Sequence, residues 1–230
     1  MAKSFRTDQK KPTNVLIATP ALHGQVDAYY ASTINRVSKL GAANNINIDV
    51  CMLSYESILP MARNQLMSLA VEQDYDCMIF IDADVCCNPN TLINIIKNPK
   101  DVIAIPTVKK IEGEEVYDFW FEDEEQFETI EGNLQAVNIV STSCLKLSKK
   151  SLQTLSKNSV DIYFRGNKIK NICQYDFNGE GFMGEDVFLC EKLHDLGFEI
   201  WIDFSSTCMH IGPKVYKGNY KKTVLNKNDD

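Results

Sequence analysis

The sequence contains no apolar run approaching the length of a membrane span. Its first residues, Met1 to Thr13, are polar and lack the apolar core of a secretory signal. A flexible N-terminus over 1–13 and no transmembrane segment are expected. The eight cysteines include no C-x-x-C spacing, and the neighbours Cys86 and Cys87 are badly placed to bridge each other. That disfavours a zinc ribbon and a secreted disulfide framework, and suits reduced thiols in a cytoplasmic protein. Positive charge is also short. Lys and Arg number 24 against 31 Asp and Glu, for a net charge of −7, which argues against nucleic acid as a partner because such proteins present a basic face.

What is present suits an ordinary globular chain: 230 residues, 44% hydrophobic and 24% charged, enough for one large domain or two small ones, of which one is expected. Its most strand-like run is Cys77-Met-Ile-Phe-Ile81, which drives directly into Asp82-Ala83-Asp84. Four consecutive apolar residues (Met78 to Ile81) fit a central strand covered on both faces, and ligands in open α/β sheets bind beyond the carboxyl ends of such strands. Residues two apart on an extended chain point the same way, so both carboxylates are expected to face one hard cation or one ligand. The plainer alternative is a surface turn that happens to hold two Asp.

Around this stretch the chain alternates. Asn14 to Pro20 reads as a first strand, and Val26, Tyr30, Thr33, Val37 and Leu40 recur at helical spacing up to Gly41. Ile46 to Leu53 reads as a second strand, and Ser57 and Pro60 open another helix that carries Arg63 and Asn64. Arg63 is open to two readings, a solvated surface charge or a phosphate contact. Asn88-Pro89 opens a third helix, and Asp101 to Pro106 is a further strand. Such alternation predicts a parallel sheet with right-handed crossovers.

The regularity stops at Glu112. From there to Glu131 the chain holds ten acidic residues and no basic ones, interleaved with Tyr117, Phe119, Trp120, Phe121 and Phe127. A solvated acidic loop and an aromatic platform for a sugar ring, built on Trp120 or Phe121, are equally compatible with this composition. Ala136 to Leu147 reads as one long strand, Ser148 as the cap of a helix, and Ile162–Phe164 with Ile169–Cys173 as an antiparallel pair. In Gly181-Phe-Met-Gly-Glu-Asp186 two acids open a helix that stops at Gly197. The helix dipole alone can account for acids at that position, and a Gly-rich approach also lets a carboxylate reach a ligand. Two final strands follow, the second ending near His210.

The order of an apolar strand ending in Asp82-x-Asp84, the Gly181-x-x-Gly-Glu-Asp186 helix start, the Glu199–Asp203 strand and a late His210 before Gly212 resembles the nucleotide-sugar glycosyltransferases of the GT-A fold. Ala62-Arg63-Asn64 and Asp195-Leu-Gly-Phe-Glu-Ile-Trp-Ile-Asp203 extend the resemblance over most of the chain. The resemblance implies a single α/β GT-A (Rossmann-like) domain over 14–212, with a mainly parallel central sheet flanked by helices and a small antiparallel part. Residues 14–110 would form its nucleotide-binding half, 111–212 its acceptor half, and 213–230 a tail. It implies Mn²⁺ or Mg²⁺ held by Asp84 and His210, with Asp82 on the ribose or on the metal through water. Thr19, Pro20, Tyr55 and Arg63 would line the nucleoside pocket beside Ala83, and Lys109 in Pro106–Lys110 would belong to the donor-sugar loop. Asp186 would be the base on the acceptor side, with Glu185 its neighbour in the motif. The donor would be a nucleoside-diphosphate sugar such as a UDP-sugar, and the acceptor a hydroxyl on a glycan or another molecule. Mixed His and carboxylate ligation suits Mn²⁺ somewhat better than Mg²⁺. The chain departs from the pattern at Thr142-Ser143-Cys144, where relatives commonly carry Thr-Gly.

Other classes fit less well. An EF-hand loop starting at Asp82 needs Gly sixth and Glu twelfth, and meets Cys87 and Ile93. A haloacid dehalogenase-type phosphatase carries Asp-x-Asp on its first strand, whereas here the strand is the third. A nucleotidyltransferase acting on sugar phosphates needs a Gly-rich basic loop after the first strand, and Ala21-Leu22-His23-Gly24 supplies little of one.

Overall fold

The computed structural model describes residues 11–121, 130–177, 179 and 181–224. Phe127, most of the expected flexible N-terminus (1–10) and the last part of the expected tail (225–230) lie outside the described residues. The apolar runs of the first half form strands as their composition dictates: β1 (Thr13–Ala21), β2 (Ile46–Ser54), β3 (Cys77–Ile81), the short β4 (Val85–Cys86) and β5 (Val102–Ala104). Between them lie α1 (Ala28–Ala43), α2 (Leu59–Glu72) and α3 (Pro89–Lys97). The helix starts follow local chemistry. The Asp27 side chain accepts from the Tyr29 amide at the head of α1, and Asn88 caps α3 ahead of Pro89. In α2, Pro60 occupies the first turn and Ile58 the capping position, where the Ile58 amide is taken up by Glu56 Oε1.

The second half contributes β6 (Phe119–Trp120), β7 (Ile130–Glu131), β8 (Leu134–Val137), β9 (Ile139–Val140), β10 (Cys144–Ser148) and α4 (Lys149–Lys157). It continues with β11 (Asp161–Phe164), β12 (Asn167–Lys170), β13 (Asp176–Phe177), β14 (Phe182–Met183), α5 (Glu185–Asp195) and β15 (Ile200–Asp203). The final elements are β16 (Met209–Ile211), β17 (Val215–Tyr216) and α6 (Tyr220–Thr223). The central sheet has eight strands in the order β2-β1-β3-β10-β5-β15-β8-β7. All but β10 and β8 run in one direction, so the sheet is mostly parallel, as the alternation predicts.

Strand residues alternate between two cores. Leu16, Ala18, Met78 and Phe80 pack with Leu66 and Met67 of α2, Leu152 and Leu155 of α4, and Leu189 and Leu193 of α5. Val15, Ile17, Ile79 and Ile81 pack on the opposite face with Tyr30 and Val37 of α1 and Leu92, Ile95 and Ile96 of α3. Each fully buried aliphatic side chain contributes about 1.5–3 kcal/mol, which is why β3, buried on both faces, has no polar residue.

Two expectations need correction. Ala136–Leu147 is not one strand. The chain breaks around Asn138 and again at Ser141–Ser143, where Ser143 N–H bonds to Ser141 Oγ and the polar side chains turn on one another. This break lets β10 enter antiparallel between β3 and β5 and brings the 141–143 turn against the end of β3. Nor is the segment after 212 a tail as far as Val224. Tyr220 is buried edge-on against Tyr117 and Phe119, and its hydroxyl donates to Gln135 Oε1.

Candidate functional site

β3 ends at Ile81, and the next three residues are not extended. The Val85 amide donates back to the Asp82 carbonyl at 3.0 Å, folding Asp82-Ala83-Asp84 into a tight turn beyond the carboxyl end of the strand. The two carboxylates therefore take different partners, contrary to the extended geometry expected from the sequence. Both still border one cleft of 550 Å³, walled by Pro20, His23, Asp27, Glu56, Ser57 and Ala83 among others.

Asp82 is drawn inward. Its carboxylate meets the Arg63 guanidinium at 3.2 Å, and the Nε of the same arginine reaches Glu185 Oε1 at 3.3 Å. Arg63 is 2% exposed and its Cζ lies 4.9 Å from the centre of the Phe80 ring. Burial opposes the guanidinium charge, but Asp82 and then Glu185 raise its pKa above the ordinary arginine value. Arg63 is thus neither a solvated charge nor an exposed phosphate contact. It is a buried strut joining the end of β3 to the start of α5.

Asp84 faces outward. Antiparallel pairing of β4 with β16 sets His210 opposite Val85, and the Ile211 amide donates to the Asp84 carbonyl. His210 Nδ1 donates to the Val108 carbonyl at 3.2 Å, leaving Nε2 aimed at Asp84 Oδ1, 3.5 Å away. The Lys110 ammonium bonds to the other oxygen, Oδ2. Burial would raise the Asp84 pKa, but hydrogen bonds from His210 and Lys110 outweigh it and lower the value to about 2.

Asp186 sits in the first turn of α5, half-buried, with Oδ1 accepting from the Val187 amide. Glu185 is buried and committed to Arg63. Lys109 stands 3.8 Å from Asp118, with its ammonium 5.7 Å from the centre of the Trp120 ring. Trp120 is 40% exposed, whereas Phe121 packs edge-on against Phe119 and into the core. Tyr55 is largely exposed with a φ of 62°, and its ring lies so close to Gly24 that a Cβ there would fall within 2.8 Å of the Tyr55 hydroxyl. Thr19 does not line the cleft. It is wholly buried, and Oγ1 shares a 2.5 Å hydrogen bond with the Tyr30 hydroxyl.

The structure thus gathers Asp82, Ala83, Asp84 and Pro20 on the cleft, joins Arg63 and Glu185 to Asp82, and brings His210 to Asp84. Sequence reasoning missed Lys110 and Asp118. Burial pushes the Asp118 carboxyl up; Lys109 and His210 pull it down, and the charges of Asp186 and Asp82 add to the upward push. Nothing in the local spacing marks Asp118, because it lies in an acidic stretch of the sequence. The Lys109-Lys110 pair, a few residues beyond the end of β5, was the available signal for Lys110. At the departure from the family pattern, Thr142 and Ser143 are buried, and Ser143 Oγ bonds to Thr107 Oγ1 at 2.9 Å.

The sequence matches no family model and no curated protein. Among solved structures, the chain is similar to A197 from STIV with a TM-score of 0.54 at 14% identity, covering 90% of this chain and 94% of that one. It also matches GalNAc-T7 with UDP, GalNAc and Mn²⁺, with a TM-score of 0.49 at 14% identity, over 91% of this chain and 45% of that one. A third match is a glycosyltransferase involved in the glycosylation of the major capsid of PBCV-1, with a TM-score of 0.36 at 13% identity over 62% of each chain. The chain spans less than two thirds of the last two. At these identities the similarity concerns the fold, a mixed α/β domain with a large, mostly parallel central sheet between helices. Among the described residues no helix is long and apolar enough to cross a membrane.

Proposed function

We propose that this chain is a metal-dependent glycosyltransferase that moves a sugar from a nucleoside-diphosphate sugar, with UDP as the nucleotide, to an acceptor hydroxyl on a glycan. The observation that carries the reading is the approach of His210 Nε2 to within 3.5 Å of Oδ1 of Asp84, which borders the cleft beyond β3. An imidazole whose other nitrogen is tied to a carbonyl, facing a carboxylate held ionised, is a donor set that fits Mn²⁺ or Mg²⁺. The Lys110 ammonium on Asp84 Oδ2 fits the same account, since it meets the carboxylate with positive charge.

Asp84 and His210 would hold the cation, which offsets charge on the departing diphosphate when bound. Pro20, Ala83 and the exposed Tyr55 ring would flank the nucleoside, and Lys109 and Lys110 would add positive charge beside the phosphates. Asp82, fixed by Arg63, keeps a free edge toward the cleft for the ribose. On the acceptor side the hydroxyl oxygen attacks the anomeric carbon, the bond from that carbon to the diphosphate oxygen breaks with its electron pair leaving on UDP, and the hydroxyl proton passes to Asp186. Glu185, buried and paired with Arg63, would position this helix start. Eight unpaired thiols suit a reducing compartment such as the cytoplasm.

The test is a panel of nucleotide sugars with and without Mn²⁺, read by thermal shift and by analysis of the released nucleotide. A UDP-sugar with Mn²⁺ should raise the melting temperature, since a ligand bound only by the native state stabilises it, and should slowly release UDP. No shift across the panel contradicts the reading. Release of pyrophosphate from a nucleoside triphosphate and a sugar phosphate would instead identify a nucleotidyltransferase.

A further inference from the structure

Directly behind the Asp82–Asp84 turn lie three cysteines that the proposed chemistry does not use. Cys87 follows β4, Cys144 opens β10 opposite Ile81, and Cys208 immediately precedes β16. They are 3%, 0% and 0% exposed. Their sulfur atoms all lie within 4.8 Å of one another, and Cys87 Sγ is 3.3 Å from Cys144 Sγ, yet none is in a disulfide. We propose that Cys87, Cys144 and Cys208 form a trithiolate site for a thiophilic d¹⁰ cation, Zn²⁺ or Cu(I), separate from the carboxylate–imidazole pole at Asp84 and His210.

The geometry has the right scale. A metal–sulfur bond of about 2.3 Å puts ligand sulfurs roughly 3.7–4.0 Å apart around one ion, close to the 3.3 Å between Cys87 and Cys144 and inside the 4.8 Å within which all three sulfurs lie. The three thiols share a core cluster rich in isoleucine, and within it their sulfurs lie together. Thiolates select soft cations over the oxygen-preferring Mn²⁺ and Mg²⁺, which keeps the two sites chemically distinct. Loading would release up to three thiol protons to solvent as the metal–sulfur bonds form. It would also tie together three segments, since Asp84 lies just before Cys87, Ser143 abuts Cys144, and His210 follows Cys208 by two residues.

The test is titration of the reduced, chelator-treated full chain with Cd²⁺, followed by ultraviolet sulfur-to-cadmium charge-transfer absorption. One equivalent should bind with a charge-transfer band, raise the melting temperature and persist in excess Mg²⁺ and Mn²⁺. The band should survive in Asp84→Asn and in Cys190→Ser, a buried cysteine elsewhere in the core, and be lost in Cys144→Ser. Displacement of Cd²⁺ by Zn²⁺ in one arm and by Cu(I) in the other identifies which ion the site prefers. A folded wild-type chain with no band overturns the proposal even if Cys144→Ser fails to fold. So does a band that persists in each of Cys87→Ser, Cys144→Ser and Cys208→Ser. Because Asp84→Asn leaves the thiol site intact, failure here is distinguishable from failure of the glycosyltransferase reading.

Discussion

Asp82 and Asp84 stand two residues apart and belong to different regions of the site. Asp82 joins a closed region, in which the fully buried Arg63 guanidinium bridges it to Glu185 across the join between β3 and α5. Asp84 joins an open region, where its side chain is 43% exposed and meets His210 and Lys110 at the rim of the cleft. A buried charge network of this kind is costly to interrupt and poorly placed to exchange partners, whereas a partly solvated one can trade a lysine for a cation. The difference shows that two carboxylates two residues apart can sit in unlike surroundings: Asp82 ties the turn to α5 through Arg63, and Asp84 meets its partners at a more exposed position.

The largest expected effect belongs to the proposed base Asp186, next to Glu185 of the closed region. Asp186→Asn keeps a side-chain oxygen for the Val187 amide but cannot take the acceptor proton, so turnover should fall by roughly two to four orders of magnitude. Donor affinity and melting temperature should stay near wild type. Near-normal turnover would leave Asp186 only its place as an acid in the first turn of α5.

Next comes the closed region. Arg63→Met removes the shared partner and leaves Asp82 and Glu185 uncompensated, which should destabilise the fold by about 3–5 kcal/mol in urea denaturation. A change below about 1 kcal/mol would mean that the network is as solvated as the pole at Asp84, and the contrast between the two regions would disappear.

The smallest effect is the pH dependence of the open region. The Asp84 pKa is lowered to about 2 in the folded chain against about 3.9 unfolded, so its contribution is present above about pH 4 and is lost as pH falls toward 2. The stability difference between wild type and Asp84→Asn, measured by urea midpoints, should therefore be constant from neutral pH to about 4 and shrink below it. A difference that grew on acidification would have the wrong sign for a carboxylate held ionised.

Much of the fold was legible because its signals are local. The apolar run Met78–Ile81, the helix spacing from Tyr30 to Val37 and the Asn88-Pro89 start each state their structure within a few residues. The antiparallel entry of β10 was not legible. It depends on a break at Ser141–Ser143 inside a run that otherwise alternates like one strand, and on a partner choice that local sequence does not encode. The site divides in the same way. Asp82, Asp84 and His210 stand out by type and order, but the commitment of Arg63 to two carboxylates, Glu185 being far along the chain, and the arrival of Lys110 at Asp84 are products of packing. Thr19 misled because a hydroxyl at a strand's carboxyl end can as easily bond inward, here to Tyr30.

The most direct measurement is calorimetric binding of UDP to wild type and to His210→Ala, each with and without Mn²⁺. His210 lies on β16 between β17 and β4, and those backbone pairings do not use its ring, so its replacement should leave the melting temperature little changed. The account predicts that UDP binds the wild type in a strictly Mn²⁺-dependent way and that His210→Ala loses this dependence together with most of the affinity. Equal UDP affinity in both proteins, or affinity indifferent to Mn²⁺, would contradict it.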